Sequence, residues 1–215
     1  MGKSVYSIVL DDEVIRGIDM MAAQQGTSRS NMINRLLAQH ISMPTAETML
    51  LDVYNSINEV MDQHSSLVLQ LLGNGNMINM RSALQYKYNP SIKYSVELLE
   101  KGGYYGQLKI SMRSQNTALI AILDSFFALW AQLEMQYCDI AEDEFSFEKG
   151  RYARLLRKDN SRNFNDYGTK IAMYIDLLDS CMKEYFNNIS ISSAAAANST
   201  VKKYLAEISA ELVNI

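Results

Sequence analysis

Residues 3–40 read KSVYSIVLDDEVIRGIDMMAAQQGTSRSNMINRLLAQH, and the order of side chains in this stretch decides the fold of the N-terminal part. Alternation from Val5 to Leu10 predicts a strand over residues 4–10. Tyr6, Ile8 and Leu10 would face a core, and Lys3, Val5, Ser7 and Val9 would face out. Two valines on a solvated strand face are unfavourable, so that face is expected either to meet another macromolecule or to be covered by the rest of the chain. Asp11 is the expected N-cap of a first helix, with Asp12 and Glu13 suited to its positive end. Val14, Ile18 and Met21 recur at helical spacing, flanked by Ile15 and Ala22. Gly26 should end that helix in a left-handed cap. Ser28 should cap a second helix that carries Met32, Ile33, Leu36 and Leu37 inward.

The ordered set Ile18-Asp19-x-Met21-Ala22-x-x-x-Gly26-x-Ser28-Arg29-Ser30-x-x-Ile33, behind a strand at the right distance, resembles the ribbon-helix-helix DNA-binding family of the MetJ/Arc/CopG type. The likeness covers residues 3–40 only. It implies a dimer in which two strands form a ribbon that enters the major groove. It assigns base contacts to Lys3, Val5, Ser7 and Val9: Val on a thymine methyl, Ser as donor or acceptor, Lys on guanine or phosphate. It assigns a DNA phosphate to the second helix N-terminus, at Ser28, Arg29, Ser30 and Asn31. Ordinary capping accounts for Ser28 as well. Many members carry Arg or Thr where Val5 and Val9 stand, so no operator preference carries over. One strand and two short helices leave much apolar surface uncovered, which also argues for an obligate dimer.

Composition widens the frame. The 215 residues suit a small module, 1–42, and one larger domain, 43–215. Hydrophobic residues at 48% and charged residues at 20% suit a folded protein, and 13 Met with 13 Tyr suit adaptable amphipathic contacts. No basic segment followed by an apolar run opens the chain, and no apolar run reads as approaching a membrane span. Cys138 and Cys181 make no metal-type pair. The expectation is a cytoplasmic protein without cofactor or metal. The net charge of −4 does not advertise nucleic-acid binding. Within 1–42 the charges cancel, Lys3, Arg16, Arg29 and Arg35 against Asp11, Asp12, Glu13 and Asp19. Affinity for DNA would then rest on base contacts and dimerisation as well as on phosphates.

Beyond Pro44, Leu50, Val53, Ile57, Val60, His64, Leu67 and Leu71 form a heptad-like seam, predicting one helix over 45–72. Gly73-Asn74-Gly75-Asn76 reads as a turn. Two period-two runs, from Ile92 to Leu98 and from Leu108 to Met112, predict a β-hairpin within 91–114, against a helix ending at Gly102. Asn116 or Thr117 should cap an apolar helix to about Gln136, carrying Phe126, Phe127, Leu129, Trp130 and Leu133 into the second core. A basic run follows, in which Arg151, Arg154 and Lys158 would share a helix face. That face would suit DNA or a phosphate-bearing effector, or would pair with the acidic stretch just before it. Helices are expected over 165–186 and 199–213, with SISSAAAANS as a connector.

The expected fold is therefore mainly α: a dimeric ribbon-helix-helix module of one strand and two helices, then a helical oligomerisation or effector domain with one hairpin. The expected function is sequence-specific binding of double-stranded DNA by a homodimer or higher assembly, as a transcriptional repressor. The alternative is a dimeric scaffold, or a plasmid-maintenance protein of partition or antitoxin type. No catalytic motif is legible, and His40 and His64 are too few for a histidine-rich metal site.

Overall fold

The computed structural model describes residues 5–41, 51, 53–59, 67–71, 77–87, 89–101, 103–157 and 164–208. The chain divides into two compact units, Met1–Met49 and Leu50–Ile215.

In the first unit, helices α1 (Asp12–Gln24) and α2 (Arg29–His40) enclose a small core of Ile18, Ala22 and Met32, lined by Leu10, Ile33 and Leu36. Asp11 holds the N-cap position of α1 without a side-chain bond. Ser28 caps α2, its hydroxyl accepting from the Asn31 amide at 3.3 Å. Gly26 takes the left-handed conformation, φ +62°, that its place between the helices requires. Residues 5–10 are not a strand. A strand needs a neighbour to receive its backbone hydrogen bonds, and this one has none among the described residues of its unit. Tyr6 and Ile8, expected inside, are 83% and 59% exposed, and Leu37 is exposed too.

The second unit overturns the mainly-α expectation. It is an α+β structure on a six-stranded antiparallel sheet, in the order β1-β2-β3-β4-β6-β5. The strands are β1 (Leu67–Leu71), β2 (Met77–Ala83), β3 (Ser91–Lys101), β4 (Tyr104–Met112), β5 (Phe145–Glu148) and β6 (Arg151–Arg157). Residues 53–59 are helical, with Val53 and Ile57 buried, but Leu67 and Leu71 lie in β1. The single helix over 45–72 is therefore wrong. A seam at spacings of three and four cannot register a change of element partway along it. Leu50, Val60, His64 and the turn at 73–76 lie outside the described residues.

β3 and β4 are the two period-two runs, paired Ile92 to Met112, Tyr94 to Ile110 and Val96 to Leu108. All six of these side chains are buried on one face of the sheet. That face packs on helices α3 (Thr117–Tyr137) and α4 (Phe164–Asn188). Phe127 of α3 stacks on Tyr152 of β6, and Tyr94 of β3 donates to Asp179 of α4 at 2.7 Å. Asn116 caps α3 by accepting from the Ala118 and Leu119 amides. Phe126, Phe127, Trp130 and Leu133 are core residues, whereas Leu129 is half-buried. α3 is long and apolar enough to cross a bilayer, contrary to the sequence expectation, but half of that stretch is buried within the unit.

The last helix, α5 (Ser193–Glu207), starts earlier than expected, capped by the Ser192 hydroxyl. The supposed Ser/Ala connector is largely its first turns. Alanine is the best helix former, and a serine before an alanine run is an N-cap signal.

Candidate nucleic-acid interface

The residues assigned to DNA bases lie on the arm before α1. Val5, Ser7 and Val9 are exposed, the two valines fully, and Lys3 lies outside the described residues. Tyr6 and Ile8 are exposed beside them. The side chains from Val5 to Val9 are thus exposed, whereas Leu10 packs against the α1–α2 core.

At the start of α2, Ser28, Arg29, Ser30 and Asn31 are all exposed. The Asn31 amide is taken by the Ser28 hydroxyl, which leaves those of Arg29 and Ser30 at the positive end of the helix dipole, where an anion is favoured. The Arg29 guanidinium is already engaged. Its Nε and Nη2 donate to the two Asp19 carboxylate oxygens at 2.6 Å each, a fork across the α1–α2 turn. That bond holds the Asp19 carboxyl below the usual carboxylate range. Arg35 likewise donates to Gln25 across the same turn, at 2.6 Å. Arg29 can reach a phosphate only by leaving or sharing Asp19, so the α2 amides are the readier donors.

The second basic patch is not a patch. Residues Arg151–Arg157 form strand β6, not a helix, and alternate residues face opposite ways. Arg151 is exposed and pairs with Glu148 at 3.0 Å. Arg154 is fully buried between Tyr152 and Leu156 on the core face. Lys158 lies outside the described residues. A spacing of three and four suits a helix face, whereas the run RYARLLR also alternates, and the alternation is what folds.

Arg154 instead centres a buried polar cluster that sequence reasoning missed. Its Nε lies 3.4 Å from Glu134 Oε1, and its guanidinium carbon sits 4.7 Å over the Tyr174 ring. Tyr152 donates to Glu134 Oε2 at 2.9 Å, and Trp130 Nε1 donates to the Tyr174 hydroxyl at 2.9 Å. Cys138 Sγ lies 3.2 Å from the Tyr204 hydroxyl. Burial raises the Glu134 carboxyl against the pull of Arg154, while Glu134 keeps the guanidinium protonated. The one available signal was Glu134 itself, a lone acid on the apolar face of α3 that would need a buried cation.

Among the described residues, no three His, Cys, Asp or Glu side chains converge as metal ligands would. His40 is exposed in the last turn of α2. No family model matches the chain, and no curated protein or solved structure is similar to it.

Proposed function

We propose that this chain is a DNA-binding transcriptional regulator that acts as a homodimer and represses by occupying its operator. The observation that carries the reading is the arm at residues 5–10. Four large apolar side chains, Val5, Tyr6, Ile8 and Val9, stand in solvent within five positions. An isolated unit has no use for them. Two chains that bring their arms together would cover Tyr6 and Ile8 and present Val5, Ser7 and Val9 as one surface. The amides at the start of α2 would then fix the phosphate backbone. The resemblance of residues 3–40 to ribbon-helix-helix regulators supports the same role. A cytoplasmic location goes with it.

The test is recovery of cross-linked DNA across the genome, followed by titration of the recovered sites. Ser7→Ala should change the preference among sites, by about 1–3 kcal/mol for a good base contact. Shortening Arg29 to Gln should weaken all sites alike. Recovery of no enriched sites, with a dimer in solution, would leave the second reading.

That reading is a scaffold that uses the arm only to dimerise. The Arg29–Asp19 fork favours it, because it occupies one of the few cations of a near-neutral unit. Under this reading Ser7→Ala changes neither the dimer nor any DNA titration.

A further inference from the structure

A pocket of about 560 Å³ opens on the second unit where the end of β4, the start of α3 and the β5–β6 turn meet. Three cations from two segments line it: Arg113 after β4, and Lys149 and Arg151 on either side of Gly150 in the β5–β6 turn. Its floor is apolar, made by Met112 and Ile120. A chain of net charge −4 has here placed three positive side chains round one concavity.

The turn that carries two of the cations is fixed. Gly150, at φ +69°, donates its amide to Asp124 Oδ1 at 2.8 Å and accepts from the Met112 amide at 3.0 Å. A side chain at Gly150 would stand 3.0 Å from Ile120 Cδ1 and 3.2 Å from the Met112 carbonyl. The Asp124 carboxylate is thereby committed to the turn. The other nearby acid, Glu148, pairs with Arg151 while both are well exposed. Such a pair contributes little in water and yields to a better anion. Asn116 takes the Ala118 and Leu119 amides of α3, so the helix end adds chiefly field. Positive charge continues across the sheet in register from Arg151 through Ser111 to Lys93 and Arg81. Lys93 and Arg81 stand directly opposite one another, an arrangement that favours a nearby anion.

We propose that this pocket binds a phosphorylated small molecule of nucleotide size. Its phosphoryl oxygens would be held by Arg113, Lys149 and Arg151, and its apolar part would rest on Met112 and Ile120. Pocket volumes of about 300–1,000 Å³ with an apolar floor suit small molecules. A polymer backbone would use the cations and leave the floor empty. The site belongs to the second unit alone, and the proposal does not depend on the DNA reading.

The test is calorimetric titration of the full chain at about 0.15 M salt, where weak surface pairing is screened. The probes are ATP, inorganic phosphate and adenosine. ATP should bind saturably with Kd below about 1 mM, phosphate more weakly in competition with it, and adenosine not at all. The double variant Arg113→Gln/Lys149→Gln changes only exposed side chains and should melt like the parent. It should bind ATP at least tenfold more weakly, whereas Lys202→Gln, on α5, should not. Absence of saturable ATP binding overturns the proposal, as does equal binding of adenosine or equal loss in Lys202→Gln. If a DNA duplex binds through Arg113 and Lys149 while ATP does not, the pocket is a backbone contact and the small-molecule site is overturned.

Discussion

Arg154 shows how much one buried side chain can commit. It lies under the helices with its charge met chiefly by Glu134 and the Tyr174 ring, and among the described residues Nη1 and Nη2 have no hydrogen-bond partner. Removing either member of such a pair leaves the other as an uncompensated interior charge. Arg154→Met should therefore cost about 3–5 kcal/mol in urea unfolding. Combining it with Glu134→Leu should restore much of that loss, because neither charge then remains. A double variant no more stable than the single would mean that the cluster is held by its shape. The thiols are a second case. Burial pushes Cys181 up to about 12 and also raises Cys138. The thiolate is the reactive form. A thiol reagent at neutral pH should consequently modify both at the rate of unfolding, and fast labelling of the native chain would contradict the buried placement.

At the level of elements, the β5–β6 hairpin depends on a carboxylate. Arg157 donates its Nε to Glu144 Oε2 at 2.8 Å and its Nη2 to Oε1 of the same side chain. These bonds lower the Glu144 carboxyl, against a smaller opposing effect of burial. A carboxyl lowered by folding stabilises the native state above its unfolded value, about 4.3 for glutamate, and that stabilisation is lost as pH falls through the lowered one. Glu144→Gln should hence flatten the acid limb of the stability curve below about pH 4 and change little of its slope near neutrality. Parallel acid limbs for parent and variant would remove Glu144 from the account. Legibility also divides by element. The hairpin of β3 and β4 was readable because each run alternates cleanly for long enough to sort two faces. α3 and its Asn116 cap were readable from a long apolar stretch behind an Asx residue. β1 and β6 were not readable. Leu67 and Leu71 continue a helical spacing by coincidence, and Arg154 at an inward position defeats the rule that cations face water. The partner that makes Arg154 tolerable lies 20 positions away on another element, and no local pattern records it.

For the molecule as a whole, the arm decides what kind of object one chain is. Because Ile8 is exposed in the single unit, Ile8→Asp should leave α1 and α2 folded and abolish the proposed dimer, read as helical content by circular dichroism and as mass by sedimentation. A dimer that survives this change would place the interface elsewhere. Alternation singled out Val5, Ser7 and Val9 as an outward face, but only the resemblance assigned them to DNA bases, because that role would need a second chain that no single sequence displays. The arm also has a consequence for the life of a chain without a partner. Proteases take their substrates from exposed segments outside regular structure, and residues 5–10 lie in no helix or strand next to a folded unit. A partnered arm is withdrawn from attack. Dilute protein should accordingly be nicked before α1, and concentrated protein spared. If the proposed dimer forms, newly made copies would escape this attack only once their number allows them to meet.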